Sequence, residues 1–267
     1  MTDTFDLVLH GGVCATPAGL VVTDIGVRDG RIAALGDLDP QRAAEAIDCR
    51  GLHVLPGLID SQVHFREPGG QHKEDLATGS DAAILGGVTT VFEMPNTSPS
   101  TVTVDALQDK LRRAAGRMRC DHAFFIGATG DNGDELLAAA QAPGCAGTKI
   151  FIGSSTGDLL VEGVEKLDAA LAASPRRTSA HCENEARLRE RKAIADAAGH
   201  PRAHPVWRDE EAAITATRLF VARARIAGRR AHVLHVTTGE EAAYLATVKD
   251  VATMGRKPMS GWERWCR

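Results

Sequence analysis

Residues 55–70 read LPGLIDSQVHFREPGG and join an apolar run to a row of polar side chains. Alternate side chains of an extended strand point to the same face. This spacing places four polar residues together: Asp60, Gln62, His64 and Arg66. A polar row at the carboxyl end of a strand is typical of (β/α)-barrels, whose sites lie at that end. A half-exposed edge strand with a solvated face is the alternative for this stretch alone.

Short apolar runs alternate with amphipathic segments from residue 52 to about residue 249. The predicted strands are 54–64, 89–94, 122–128, 148–152, 178–182 and 232–236. The predicted helices are 73–85, 104–117, 134–141, 163–173, 183–198 and 209–227. Such alternation predicts a parallel sheet covered by helices. Because a complete eight-unit barrel needs roughly 250 residues, these units predict an α/β fold that is an incomplete TIM-type barrel of about six of eight units.

The first 51 residues have a different pattern. Short β-type runs at 5–10, 21–27 and 31–35 are separated by glycine-rich turns, and Asp29-Gly30 is typical of a two-residue hairpin. We therefore predict three regions: a small antiparallel β-module at 1–51, a partial barrel at 52–250 and an atypical tail at 251–267. The tail contains MGRKPMSGWERWCR, which has no strand pattern. It suggests a frameshift or truncation near Thr253.

Composition excludes several classes of protein. The 267 residues carry 31 Lys+Arg and 35 Asp+Glu, a net charge of −4, without a basic stripe for nucleic acid. No apolar run reaches the roughly 18 residues of a membrane helix, and no signal peptide is visible at the N-terminus. The six cysteines form no CxxC pair. We expect reduced thiols and a cytoplasmic protein.

Three later strands end in residues that can bind metal or substrate. Lys149 lies inside an apolar strand, and a buried lysine has a lowered pKa; its neutral amine can add carbon dioxide and become an anionic carbamate. His181 and His235 each end a strand. Convergent strand ends would bring these groups together with His64 as a zinc site. Taken singly, Lys149 could extend to solvent, and each histidine could be a packed structural residue. Asn96 follows the second predicted strand and could donate hydrogen bonds to a ligand carboxylate or carbonyl. Its alternative is an ordinary turn residue.

Five motifs occur in order: PGLIDSQVHFREPG, GGVTTVFEMPNT, KIFIGSSTG, HCENE and HVLHVTT. With them the chain resembles the dihydroorotase family of the amidohydrolase superfamily. FREPG with MPNT favours dihydroorotase over allantoinase or hydantoinase. The resemblance implies reversible interconversion of N-carbamoyl-aspartate and dihydroorotate, small-molecule substrates of pyrimidine synthesis.

The resemblance also implies roles for particular residues. Two zinc ions would be bridged by carbamylated Lys149, with His181 and His235 on the second metal. His64 would be one half of a first-strand His-x-His pair. Arg66 and Asn96 would hold the substrate carboxylate, since an arginine fork matches a carboxylate.

Two departures from the family pattern change these expectations. Gln62 stands where the family has its other histidine, and an amide oxygen is a poorer zinc ligand than imidazole. The eighth-strand Asp that shuttles the proton has no counterpart, so no catalytic base is identified. We expect at most one tightly bound zinc, little activity and poor solubility. The alternatives are an allantoinase or hydantoinase, a gene fragment without a stable fold, and a non-catalytic assembly partner of aspartate carbamoyltransferase. A homo-oligomer is also possible.

Overall fold

The protein was analysed as a computed structural model, which describes residues 4–154 and 159–249. These residues form two compact units, residues 4–57 and residues 58–249. The boundary thus follows Gly57, whereas the sequence pattern changes near Gly51. The predicted tail at 251–267 and its proposed frameshift lie outside the described residues.

The first unit is a five-stranded sheet. Its strands are β1 (Phe5–Thr16), β2 (Gly19–Arg28), β3 (Arg31–Gly36), β4 (Ala43–Asp48) and β5 (His53–Val54). They lie in the order β3-β2-β1-β4, with β5 also pairing with β1. The hairpin prediction is confirmed, because Asp29 and Gly30 have φ values of 53° and 69°, which a type I′ turn requires.

The prediction of a purely antiparallel module is wrong. Strands β4 and β5 both run parallel to β1. After β3 the chain passes through a short 3₁₀ helix, Pro40–Arg42, and returns along the other side of β1. Strand direction depends on this path and not on local hydrophobic alternation, so the sequence pattern did not reveal it.

The second unit contains the barrel strands. They are β6 (Leu58–Val63), β7 (Val88–Glu93), β8 (Asp121–Gly127), β9 (Cys145–Phe151), β10 (Thr178–His181) and β11 (Ala231–Val233). All neighbours pair in parallel, in the order β11-β10-β9-β8-β7-β6. The prediction of an incomplete TIM-type barrel is confirmed. The predicted strand at 54–64 is divided, since β5 belongs to the first unit and Pro56 interrupts the ladder.

Helices follow the strands of the second unit. They are α1 (Leu76–Leu85), α2 (Val104–Ala114), α3 (Gly133–Ala139), α4 (Val164–Ala172), α5 (Glu185–Ala198), α6 (His204–Trp207), α7 (Glu210–Ile226) and α8 (Gly239–Val248). Helix α5 begins two residues later than predicted, because the Asn184 side chain caps it by accepting from the Arg187 N–H. This cap leaves Glu183 in the loop beyond β10. No helix of the described residues has the length and apolarity to cross a membrane.

One large core lies between the sheet and its helices. It includes the strand residues Val91, Ile126, Ile150 and Ala180 and the helix residues Leu107, Leu136, Leu167 and Phe220. Because strand side chains alternate between faces, the neighbours of these strand residues point to the opposite face. A smaller cluster there consists of Met94, Phe125 and Leu234. The helix-covered face is therefore mainly apolar, and Lys149, the neighbour of Ile150, lies on the opposite face.

Candidate functional site

Lys149 is the most deeply buried polar residue of the predicted site. It precedes Ile150 of the large core, so its side chain lies on the sheet face opposite the helices. Only 1% of Lys149 is exposed to solvent. Its Nζ lies 4.4 Å from the centre of the Phe151 ring. Within the described part of the chain it has no hydrogen bond or ion pair. Burial lowers the pKa of Lys149 to about 7. The alternative of a lysine extending to solvent is therefore excluded.

His181 and His235 lie against each other at neighbouring strand ends. His181 Nδ1 is 2.9 Å from His235 Nε2, and the ring centres are 4.7 Å apart. Partial burial, together with the charges of His181 and Lys149, lowers the pKa of His235 to about 4. His235 is therefore neutral near pH 7, and one of its nitrogens carries a lone pair as metal ligation requires.

The other nitrogen of His181 contacts a residue that the sequence analysis left unassigned. His181 Nε2 lies 2.5 Å from Glu183 Oε2. Arg208 Nε donates to Glu183 Oε1 at 2.7 Å, and Arg208 Nη2 donates to Oε2. These contacts lower the pKa of Glu183 to about 2 despite its burial. Glu183 lay within the quoted HCENE motif, two residues after His181, whereas no sequence pattern marked Arg208.

His64 is oriented by a different partner. Its Nδ1 lies 2.8 Å from Asn96 Oδ1. Because an amide oxygen only accepts, the ring proton is on Nδ1 and Nε2 carries the lone pair. Burial first, then the charges of Arg66 and Lys149, lowers the pKa of His64 to about 4. The charge of Lys149 contributes to the lowered pKa of both His64 and His235, and the Phe151 ring beside Lys149 lies 6.0 Å from the His181 ring.

Four of the predicted site residues line two separate cavities. A cavity of about 540 Å³ is lined by His181, Glu183, Arg208 and His235. Arg66 and Asn96 line a separate one. His181 and His235 thus line a different cavity from Arg66 and Asn96, and His64 contacts the Asn96 side chain.

Gln62 has no hydrogen bond with the other predicted residues in the described part of the chain. Its backbone N–H donates to Asp60 Oδ1 at 2.9 Å. Across residues 4–154 and 159–249 its side chain forms no hydrogen bond. The loop after β9, quoted in the sequence as GSSTG, lies largely outside the described residues.

Backbone strain accumulates beside the site. Non-glycine residues with positive φ include Arg66 at 61°, Ser154 at 51° and His235 at 36°. Each follows a barrel strand at its carboxyl end. Such conformations cost free energy and cluster at functional sites. This distribution is consistent with a site at these strand ends.

The donor atoms fit a metal ion only if Lys149 contributes. Among the described residues, no group of three or more His, Cys, Asp or Glu is arranged to hold one. Two ligands of a tetrahedral zinc, each at about 2.0–2.1 Å, lie about 3.3 Å apart. The 2.9 Å between His181 Nδ1 and His235 Nε2 is close to this spacing. A carbamate on Lys149 would supply the third donor.

Comparisons with known proteins place these features in a family. Residues 51–241 match the family model described as Dihydro-orotase-like. An allantoinase of Bacillus velezensis is 31% identical over 245 residues, which cover 88% of this chain and 53% of that protein. An allantoinase of Escherichia coli K12 is 34% identical over 257 residues, covering 89% and 54%. The chain therefore spans about half the length of these relatives.

Solved structures show the same fold. The L-hydantoinase (dihydropyrimidinase) of Arthrobacter aurescens superposes with a TM-score of 0.84 at 26% identity, over 94% of this chain and 57% of that one. The relatives compared are named allantoinase and hydantoinase, so they do not support the preference for dihydroorotase drawn from FREPG and MPNT. The ordered motifs, the parallel barrel strands and the match over residues 51–241 together show that the chain belongs to the dihydroorotase-like family.

Proposed function

We propose that this chain is a metal-dependent hydrolase of cyclic amides, with a cyclic ureide such as allantoin or a hydantoin as its substrate. One observation carries the proposal: His181 Nδ1 and His235 Nε2 converge to 2.9 Å beside the buried Lys149. The names of the relatives support a cyclic ureide over dihydroorotate.

The first chemical step proposed is modification of Lys149. With a pKa of about 7, a substantial fraction of its amine is neutral near pH 7. The nitrogen lone pair forms a bond to the carbon of carbon dioxide, and one proton leaves to solvent. The product is an anionic carbamate, which replaces a buried cation by an oxygen ligand. Its negative charge is suited to a zinc ion held also by His181 and His235.

The other residues would bind the metal ion or orient its ligands. A bound zinc ion supplies an activated water and polarises the amide carbonyl. The Asn96 side chain accepts from His64 Nδ1, so the Nε2 lone pair of His64 points away from the Asn96 amide. In the described ranges no carboxylate is hydrogen-bonded to His64 or paired with Lys149. We therefore assign no general base among the described residues.

Dihydroorotate is the second candidate substrate, and one observation favours it. The cavity at Arg66 and Asn96 is also lined by His72 and Lys73, and none of its described lining residues carries a carboxylate. A site of this composition attracts an anion, and dihydroorotate carries a ring carboxylate that allantoin and unsubstituted hydantoin do not have.

An assay of the full chain tests the proposal. The purified protein is incubated with zinc and bicarbonate, and its zinc content and ring opening of allantoin, hydantoin and dihydroorotate are measured. We expect at most one zinc per chain and slow turnover, fastest with a cyclic ureide. Two tightly held zinc ions would contradict the single-site proposal. A chain without zinc or turnover would instead indicate a non-catalytic role.

A further inference from the structure

The Glu183 carboxylate lies between a histidine and an arginine. Arg208 directly follows helix α6. Its Nε donates to Glu183 Oε1 at 2.7 Å, and its Nη2 donates to Oε2. Both side chains are largely buried, with 20% and 13% of Arg208 and Glu183 exposed. A bidentate pair of this kind holds a carboxylate in one orientation.

This orientation controls the His181 ring. Glu183 Oε2, 2.5 Å from His181 Nε2, is an ionised oxygen that can only accept, so the proton must be on Nε2. Nδ1 then faces His235 Nε2 at 2.9 Å. Without the arginine, the carboxylate could rotate, and the ring could turn or exchange its tautomer.

We propose that Arg208 is a positioning residue, which holds Glu183 so that His181 presents Nδ1 to the site. This inference rests on the proposed metal site for its functional meaning. Partners of this kind, behind a metal-binding histidine, fix its tautomer and raise its basicity. Arg208 Nη2 also lies 3.4 Å from His181 Nε2, so the guanidinium blocks the ring from turning in that direction.

A neighbouring pair provides a matched control. Arg187 Nε and Nη2 donate to the two oxygens of Asp209 at 2.8 and 2.6 Å, with similar partial burial. Within the described residues neither member forms a hydrogen bond or ion pair with a histidine. Loss of Arg187 therefore removes the same kind of ion pair without touching the His181 ring.

The experiment compares wild type with Arg208→Gln, Arg208→Lys and Arg187→Gln in the full chain. The first readout is the tautomer of His181 in the metal-free protein, from imidazole nitrogen NMR, with the signal assigned by its loss in His181→Asn. We expect a single Nε2–H tautomer in wild type and in Arg187→Gln, a mixture in Arg208→Gln, and partial recovery in Arg208→Lys.

The second readout is zinc affinity by competition with a chelator. We expect Arg208→Gln to bind zinc about 10- to 100-fold more weakly, whereas Arg187→Gln binds as wild type does. An unchanged tautomer in a folded Arg208→Gln variant would overturn the positioning role. The two proposals remain distinguishable, because a wild-type chain that binds no zinc contradicts the metal site while the NMR readout still decides the role of Arg208.

Discussion

Among the described residues two lysines are almost completely buried, and their surroundings differ. Lys110 pairs with Glu93 and also donates to the Met94 carbonyl at 3.1 Å. Lys149 has no hydrogen bond or ion pair within the described residues, and its Nζ lies over the Phe151 ring. A buried cation without a counter-ion costs free energy, so it is favoured as a neutral amine or as a modified group. Lys110 is therefore interpreted as a structural lysine, and Lys149 as one that is available for chemical modification.

Replacing Lys149 should abolish zinc binding. In Lys149→Ala the carbamate cannot form, and only two histidine donors remain, which is fewer than a zinc site requires. Elemental analysis of protein prepared with zinc and bicarbonate checks this. Lys166→Ala is the control, because Lys166 is exposed and pairs with Asp131 at 2.8 Å. Wild-type zinc content in Lys149→Ala would remove this residue from the site.

Arg66 should affect substrate affinity and not metal content. Loss of a charged hydrogen-bond partner costs about 1.5–3 kcal/mol, or roughly ten- to a hundredfold in affinity. We expect Arg66→Ala to raise KM by this factor for a substrate with a ring carboxylate, and by less for unsubstituted hydantoin. Steady-state kinetics on any active form of the protein measures it. Equal effects on both substrates would contradict recognition of a carboxylate.

At the scale of elements, the buried ion pair joins helix α2 to the end of strand β7. Lys110 extends from α2 to Glu93, the last residue of β7, and Asn96 follows three residues later. The helix thereby anchors the segment that carries the partner of His64. Removing one member of a buried pair is far more costly than removing both, because the remaining charge stays unpaired.

Lys110→Ala should therefore destabilise the protein strongly, by about 3–5 kcal/mol. The double variant Lys110→Met with Glu93→Gln should recover much of that loss. Urea unfolding gives both values, and Arg112→Ala is the control, since its contact with Asp109 is exposed and long at 3.5 Å. If the double variant is no more stable than Lys110→Ala, an uncompensated Glu93 charge is not the cause.

For the whole molecule, buried neutral histidines connect stability to pH. The folded pKa of His64 is about 4, below its ordinary value of 6.5. As pH falls below 6.5, His64 is protonated in the unfolded chain, whereas in the folded chain it stays neutral until about pH 4. Stability must therefore fall over this range. Glu183, with a pKa near 2, loses its contribution only at lower pH, as the unfolded carboxylate protonates.

Urea unfolding of metal-free protein between pH 6.5 and pH 4.5 tests this. His64→Gln should reduce the slope of the unfolding free energy against pH by up to the amount that one bound proton contributes. An identical slope in wild type and His64→Gln would show that His64 is not held neutral in the fold.

The sheet also ends in two strands that have a single neighbour within the described residues, β6 and β11. Leu58 and Ile59 of β6 are 55% and 52% exposed. Apolar edge strands promote association. Leu58→Lys should therefore reduce self-association in light scattering, more than Leu85→Lys, which adds the same charge at the end of α1. Equal effects of the two variants would assign the change to net charge alone.

Sequence by itself determined much of this molecule. The six barrel strands, six of the eight described helices to within three residues and the Asp29-Gly30 turn follow from local periodicity and turn chemistry, which depend only on nearby residues. Helices α6 and α8 were not predicted. The same alternation placed Lys149 and His64 on polar positions of their strands. Only the tertiary structure decided which distant groups meet. Three such contacts join residues far apart in the chain: the parallel pairing of β4 with β1, the contact of Asn96 with His64, and the ion pair of Arg208 with Glu183. Such contacts depend on the path of the backbone and on packing, which no local pattern encodes.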